Sequence, residues 1–165
     1  MQREKLLVKV QSMPRLRAAL KLTSHITVLF SVILYAFVLY KTFFTRVLCG
    51  ILTLTVSAVA FFAVSAVRAY IDAPRPYEVY PIFSAPPKNK KGRSFPGRHA
   101  FSAFLVATLA LPISPVLAII GLVLGILLSV SRVLLGIHFV RDVVCGAILG
   151  VISGAVGIFT AGIPF

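Results

Sequence analysis

The residues best suited to chemistry lie in the last third of the chain, where a serine and an arginine are followed by a histidine and an aspartate. Ser131 and Arg132 come first, and His138 and Asp142 follow. His138 and Asp142 are four positions apart, so on a helix they share one face and can touch. A carboxylate held at one imidazole nitrogen fixes the tautomer and leaves the other nitrogen free as a nucleophile or base. The spacing therefore predicts a reactive histidine close to an arginine.

A second candidate group stands earlier in the chain. His99 follows a Pro-Gly-Arg sequence at residues 96–98. Proline and glycine just before a helix favour an N-terminus whose free backbone N–H groups can bind a phosphate. Arg68 and the Arg75-Pro76 pair precede this group. We interpret the two histidines and the surrounding arginines as a site for a phosphorylated substrate.

The elements that must position these residues are membrane-spanning helices. The chain has 165 residues, of which 59% are hydrophobic and 13% charged, whereas a soluble domain is about 45–50% apolar and about 25% charged. A spanning helix needs about 20 mostly apolar residues. Apolar stretches free of Asp, Glu, Lys and Arg cover residues 22–40, 47–67, 99–131 and 143–165, and the third is broken by the Pro-Ile-Ser-Pro sequence at 112–115. That break predicts a tight turn between two spans.

We therefore predict an all-α fold, a polytopic membrane helix bundle of about five spans, the third of them short. Small residues four apart, Gly121/Gly125 and Gly146/Gly150/Gly154, predict close helix packing. Two cysteines within apolar segments indicate buried small hydrophobes rather than a disulfide framework. The net charge of +13 is typical of a nucleic-acid-binding domain too, but such a domain would not carry apolar stretches of membrane length. We expect no nucleic-acid partner.

Residues 1–21 differ from the rest of the chain. Leucines and valines alternate there with six Lys and Arg residues, and Pro14 divides the segment. This pattern is typical of an amphipathic helix that lies on a membrane surface with its basic face towards anionic headgroups. The alternative is an untethered basic tail. We predict a surface segment at 1–21 and a membrane-embedded domain at 22–165.

The motifs resemble those of the type 2 phosphatidic acid phosphatase superfamily, which includes membrane lipid phosphatases, bacterial acid phosphatases and vanadium haloperoxidases. The superfamily pattern is K-x6-R-P, then P-S-G-H, then S-R-x5-H-x3-D. The third motif is matched in full by residues 131–142. In the first motif Arg68 stands in place of Lys, and in the second Gly97 and Arg98 replace Ser and Gly. Arginine keeps the charge at position 68 and binds phosphate bidentately.

The resemblance implies a mechanism and a role for each motif residue. His138 attacks phosphorus to form a phosphohistidine, Asp142 orients His138, and His99 protonates the leaving alkoxide and then activates water. The phosphoryl oxygens are held by the arginines and by two backbone amides, namely Arg68, Arg75, Arg132, Gly97 and Arg98. Such an arginine cage can compensate charge in phosphoryl transfer without a metal or other cofactor.

Several residues have simpler interpretations. A metal site of His99, His138 and Asp142 is disfavoured because the nearby arginines would repel a cation. Basic residues at membrane edges can act as topology anchors, an interpretation that we apply to Lys88, Lys90, Lys91 and Arg141. His25, alone in the first span, is interpreted as a structural or interfacial residue.

The distribution of charge predicts the side of the membrane. With five spans, fifteen of the seventeen Lys and Arg residues share a face with the motifs, and only Lys41 and Arg46 lie opposite. Because cytoplasmic loops carry the Lys/Arg excess, we expect a multi-pass protein of the cell membrane whose active site is cytoplasmic. That side favours phosphatidylglycerol phosphate or phosphatidate as substrate. The alternatives are an undecaprenyl pyrophosphate phosphatase, a prenyl-linked sugar phosphate phosphatase and, in another class, a lipid-binding protein without catalysis.

Overall fold

The computed structural model describes residues 8–10, 12–80 and 91–163. Its helices are α1 (Pro14–Thr45), α2 (Val47–Ile71), the short α3 (Pro76–Val79), α4 (Arg98–Ala110), α5 (Pro115–Leu134) and α6 (Val140–Ala161). Proline begins α1 and α5, where its missing N–H costs nothing and its fixed φ suits a helix. The residues described contain no strand. The predicted all-helical class is confirmed.

Among the residues described, four helices, α1, α2, α5 and α6, are long and apolar enough to cross a bilayer. Their outer faces carry exposed apolar side chains, such as Leu29 at 61%, Phe62 at 70% and Phe159 at 88% exposure. Lipid rather than water is the solvent that suits an apolar surface of this extent. The predicted short third span is α4, which has 13 residues and a length of about 20 Å, less than the hydrocarbon core of about 30 Å.

The first long helix begins earlier than the composition suggests. α1 starts at Pro14 and continues through residue 21 without a break, so the boundary predicted there is not a helix boundary. Its 32 residues extend about 48 Å, enough to cross the membrane and project beyond it. Residues 1–7 and 11 lie outside the described residues, so the surface position of the N-terminal segment stays a prediction.

The short helix α4 is the centre of the bundle. It packs against α1, α5 and α6, and Phe101 and Leu109 are fully buried in the core that these helices form. Glycines allow α6 to approach it: a Cβ at Gly146, Gly150 or Gly154 would meet Gly97, Phe101 or Thr108. The packing role predicted for these glycines is confirmed. The start of α4 is thereby fixed in position relative to α6.

The two ends of the bundle carry different segments. At one end, Lys41, Thr45, Ile113 and Ile163 line a common small cavity, so the α1–α2 connection, the α4–α5 turn and the end of α6 meet there. The turn predicted at 112–115 is confirmed, because α4 ends at Ala110 and α5 begins at Pro115. At the other end lie the end of α2, the start of α4 and the α5–α6 connection. All three predicted motifs therefore share one end.

Candidate active site

The α5–α6 connection, residues 135–139, folds back onto the end of α5. The N–H groups of Ile137 and His138 both donate to the carbonyl oxygen of Arg132, and Gly136 adopts a positive φ of 69° at this turn. Glycine is the residue that takes such a conformation without steric cost. The Tyr77 N–H of α3 donates to the Gly136 carbonyl. The turn thus places His138 beside Arg132 and is held from the α3 side.

His138, Asp142 and Ser94 form one buried group. His138 is 3% exposed, and Asp142 and Ser94 are fully buried. One carboxylate oxygen of Asp142, Oδ2, accepts hydrogen bonds from the Ser94 hydroxyl at 2.5 Å and from the Phe139 N–H at 2.9 Å. The same oxygen lies 3.6 Å from His138 Nδ1, and the Ser94 hydroxyl is 3.3 Å from that nitrogen. These contacts orient the imidazole through Nδ1, and within the described residues no hydrogen bond occupies Nε2.

The protonation state of His138 suits a nucleophile. Burial lowers the pKa of His138 below its ordinary value of 6.5, and the hydrogen bond with Asp142 opposes that shift only in part. The positive charges of Arg75 and Arg68 lower the pKa further. A neutral imidazole with its proton on Nδ1 has a free electron pair on Nε2. The lowered pKa and the contacts at Nδ1 therefore favour a neutral His138 with a free electron pair on Nε2.

The loop before α4 is fixed by acidic side chains and by Arg75. Glu78 accepts the backbone N–H groups of both Arg75 and Gly92, at 3.0 and 2.7 Å. Arg75 Nε returns a hydrogen bond to the Gly92 carbonyl at 2.9 Å. Asp72 accepts the Arg93 N–H at 3.1 Å. These bonds tie the end of α2 and the start of α3 to the segment that carries Ser94.

The other two arginines of the motifs have contrasting environments. The Arg68 side chain is 7% exposed, and its Nη1 donates to the carbonyl oxygens of Ser94 and Pro96 at 3.2 and 2.7 Å. Arg68 therefore holds the loop that presents Ser94. Arg132 differs, because its buried Nε has no hydrogen-bond partner among the described residues. Arg132 also accepts the His138 N–H at its carbonyl oxygen, and a buried guanidinium nitrogen without a partner is a ready donor for an anion.

At the start of α4, one of the two backbone amides predicted to bind phosphate already has a partner in the protein. The Gly97 N–H donates to the carbonyl oxygen of Asp142 at 2.8 Å, so the phosphate-binding role expected of this amide does not fit the structure. Arg98 is the first residue of α4, and amides in the first turn of a helix have no acceptor within the helix. His99, the next residue, opens onto a groove described below.

A groove of about 540 Å³ runs between α1, α2 and α4. Its walls are mainly apolar, with Val28 and Val32 of α1, Leu54 and Phe62 of α2 and Leu105 of α4 among them. Arg98 and His99 also line it. A volume of this size is within the range of ligand pockets, about 300–1,000 Å³. The groove connects the histidine of the second motif with the apolar interior of the bundle.

The remaining candidates have separate roles or positions. His25 Nδ1 lies 2.7 Å from the carbonyl oxygen of Lys21 on the exposed side of α1. Arg141 is largely exposed, with Nε 3.5 Å from Asp142 Oδ1, and Lys91 is exposed. Lys88 and Lys90 lie outside the described residues. Within the described ranges, no three His, Cys, Asp or Glu side chains are grouped so as to hold a metal ion.

Sequence reasoning missed three residues that build the site: Ser94, Asp72 and Glu78. Ser94 is two residues before Pro96 and outside the quoted motif, so spacing alone did not connect it with Asp142. For Asp72 and Glu78, the signal available in the sequence was their negative charge. The chain has only four acidic residues, and those within a basic segment are natural partners for its backbone and arginines.

Comparisons with known proteins agree with this geometry. The sequence profile of the PAP2 superfamily matches residues 50–161, well over half of the chain. A solved structure described as the first transmembrane PAP2-type phosphatidylglycerolphosphate phosphatase from Bacillus subtilis is similar, with a TM-score of 0.70 and 24% identity over 94% of this chain and 83% of that one. Aquifex aeolicus LpxE is similar too, with a TM-score of 0.69 and 21% identity over 94% and 93% of the two chains. No curated protein sequence matches.

Replacing Ser94 by alanine should impair catalysis without unfolding the protein. The substitution removes a hydrogen bond to a buried carboxylate, and such bonds contribute about 1.5–3 kcal/mol. At about 1.4 kcal/mol per tenfold, kcat should fall about 10- to 100-fold. Phosphate release by purified protein measures the effect. Ser129→Ala is the matched control, because the Ser129 hydroxyl bonds only to the Gly125 carbonyl within α5; equal activity of both variants would contradict the role of Ser94.

Restoring the superfamily residue at position 97 should not improve the enzyme. A Cβ at Gly97 would lie 2.9 Å from the Asp142 carbonyl oxygen, and overpacking of this kind costs about 1–3 kcal/mol. Gly97→Ser and Gly97→Ala should both lower the thermal stability and the rate of phosphate release. The alanine variant separates the effect of Cβ from that of the hydroxyl. A serine variant more active than the native chain would show that the hydroxyl has a place to bind phosphate.

Proposed function

Because the chain belongs to the PAP2 superfamily, we propose that it is an integral-membrane lipid phosphatase that hydrolyses a terminal phosphate monoester through a phosphohistidine. The observation that carries this proposal is the buried His138, held through Nδ1 by Asp142 and Ser94 beside an arginine with an unpartnered donor. A lipid-binding protein without catalysis would need the arginines but would have no use for an oriented imidazole.

In the first step, His138 Nε2 attacks phosphorus and the bond between phosphorus and the lipid oxygen breaks. His99 donates a proton to that oxygen, so the lipid leaves as an alcohol. Asp142 stabilises the positive charge that develops on the imidazole of His138. The roles follow the superfamily resemblance, and the fixed Nδ1 side of His138 supports them.

In the second step, His99 takes a proton from water, and the resulting nucleophile attacks the phosphohistidine. The bond between phosphorus and Nε2 breaks, inorganic phosphate leaves and His138 is again neutral. The lowered pKa of His138 helps here, because a neutral imidazole is needed for the next turnover.

The charge on the equatorial oxygens is compensated by the protein. We assign this task to Arg132, with its unpartnered Nε, to Arg75 and to the Arg98 amide. Arg68 supports them by holding the Ser94 loop. Fixed cationic donors stabilise a phosphoryl transition state without reorganisation, so we propose that catalysis is independent of added metal.

The groove between α1, α2 and α4 is proposed to hold the hydrocarbon chain of the substrate. Its apolar walls suit a lipid chain, and His99, the group proposed to protonate the leaving oxygen, also lines it. Phosphatidylglycerol phosphate and phosphatidate are the substrate types that we propose first, and prenyl phosphates are the alternative. The description of the Bacillus subtilis structure as a phosphatidylglycerolphosphate phosphatase supports the first of these.

Replacing His138 by alanine should abolish turnover, with a loss of at least about 1,000-fold, because no other group can form the covalent intermediate. Phosphate release from a panel of phosphorylated lipids, measured in excess chelator, is the assay. With phosphorus-labelled substrate and a rapid acid-free quench, the native chain should carry label on a histidine and the variant none. His25→Ala, on the exposed side of α1, is the control and should keep full activity.

If the His138→Ala protein released phosphate at the rate of the native chain, His138 could not be the nucleophile. Complete loss of native activity in chelator, restored by a divalent ion, would instead replace the arginine mechanism with a metal-dependent one.

We propose that the active site faces the cytoplasm. The helices alternate in direction, so the start of α1 lies at the same end of the bundle as the site, and the α1–α2 connection lies opposite. The site end carries the large excess of Lys and Arg, which cytoplasmic segments favour. We place the protein in the cell membrane on the same argument.

A cysteine at Asn89 should test the side of the membrane in a background that lacks Cys49 and Cys145. It should resist a membrane-impermeant thiol reagent in intact cells and react after permeabilisation. A cysteine at Thr45, an exposed position at the opposite end, should show the reverse pattern. Prompt labelling at position 89 in intact cells would place the site outside and favour the undecaprenyl pyrophosphate reaction.

A further inference from the structure

We propose that the Arg98 side chain forms a second anion subsite, between the reacting phosphate and the lipid chain. The preferred substrates would then carry an inner phosphate on the chain side of the bond that breaks. This inference rests on the proposed lipid phosphatase function and narrows its substrate class.

The position of Arg98 is at the junction of the groove and the catalytic residues. It begins α4 and precedes His99, and both residues line the groove together with Phe61 and Phe62 of α2. The Arg98 guanidinium carbon lies 5.6 Å from the centre of the Phe61 ring. A lipid chain in the groove, with its phosphate towards His99, would therefore lie beside this guanidinium.

Arg98 is not neutralised by the part of the protein that the structure describes. The acids of this part bind elsewhere: Asp72 to the Arg93 N–H, Glu78 to the Arg75 and Gly92 N–H groups, and Asp142 to Ser94 and Phe139. The ring of Phe61 is the contact of the guanidinium. A cation–π contact uses the face of the guanidinium and leaves its N–H edge available.

The other arginines of the site have different tasks, which separates Arg98 from them. Arg68 and Arg75 donate to backbone carbonyls of the loop before α4. Arg132 lies on α5 next to the turn that carries His138. Arg98 alone among these four lines the apolar groove. Its charge is therefore placed for an anion on the lipid side of the reacting phosphate.

The superfamily pattern P-S-G-H has glycine at the position of Arg98, so it supplies no side chain there. The subsite is thus a feature of this chain. Guanidinium binds phosphate oxygens through paired N–H donors, which suits an inner phosphate of two kinds. It can be a phosphodiester separated from the terminal phosphate by glycerol, as in phosphatidylglycerol phosphate, or the proximal phosphate of a prenyl diphosphate. Phosphatidate has no inner phosphate.

The test compares kcat/KM of the purified full-length chain in mixed micelles on four lipids: phosphatidylglycerol phosphate, phosphatidate, a prenyl diphosphate and the matching prenyl monophosphate. Arg98→Gln removes the side-chain charge, keeps much of the length and retains the backbone N–H at position 98, which is the only part of Arg98 assigned to the terminal phosphate. We expect a 10- to 100-fold fall in kcat/KM, mainly through KM, on lipids with an inner phosphate, and less than a threefold change on the others. The two pairs of lipids show which kind of inner phosphate is used.

Two further variants make the result specific. Phe61→Leu removes the ring beneath the guanidinium and should shift the same ratio in the same direction by a smaller factor, about two- to fivefold. Arg15→Gln removes one charge from an exposed position at the same end of the bundle and should leave all ratios unchanged. Turnover of phosphatidate by the Arg98→Gln protein reports that it is folded.

The outcomes distinguish the two proposals. An equal loss on all four lipids, or no change on any, would overturn the Arg98 subsite and leave the lipid phosphatase intact. A native preference for lipids without an inner phosphate would overturn it as well. Absence of phosphate release by the native chain from every lipid would instead reject the proposed function itself.

Discussion

Asp142 is the residue on which the geometry of the site depends. Its side chain accepts the Ser94 hydroxyl and the Phe139 N–H, and it faces His138 Nδ1. Its carbonyl oxygen accepts the Gly97 N–H. One residue therefore joins the loop before α4, the turn after α5 and the starts of α4 and α6. Burying a carboxylate without such partners would reduce the free energy of unfolding by several kcal/mol. These contacts are therefore required for Asp142 to be buried in its charged form.

The scarcity of acidic residues explains why the site can remain strongly cationic. The chain has four acids, and three of them, Asp72, Glu78 and Asp142, accept backbone N–H groups at the site end of the bundle. Their negative charge is used to fix loops. The guanidinium of Arg132 keeps an unpartnered nitrogen as a result. What is left is a set of cationic donors, and phosphate is the ligand that we propose for them.

The sequence was sufficient for the helices and for the residues of the third motif, because both depend on local patterns. Apolar length predicts a spanning helix, and a spacing of four predicts the contact of His138 with Asp142. His138 makes this contact from the connection before α6 and not from the helix itself. It was insufficient for contacts between segments distant in the chain. Ser94 meets Asp142 across 48 positions, and the Gly97 amide meets the same residue's carbonyl. Neither pairing follows from periodicity. The continuity of α1 through residue 21 was missed because basic residues in a helix that projects from the bilayer resemble a surface segment.

The two departures in the second motif are best understood together. Position 97 lies against α6, where a Cβ would approach the Asp142 carbonyl oxygen to 2.9 Å, whereas the side chain at position 98 lies over Phe61 at the groove. This chain therefore has glycine on the side where two helices meet and a long side chain on the open side. The Gly97 N–H completes the contact with Asp142, so the loss of a hydroxyl at 97 is accompanied by close helix packing. At 98, arginine adds a positive charge to the lining of a mainly apolar groove. Glycine at position 97 therefore holds the backbone that carries His99, and arginine at position 98 alters the groove that we propose for the substrate.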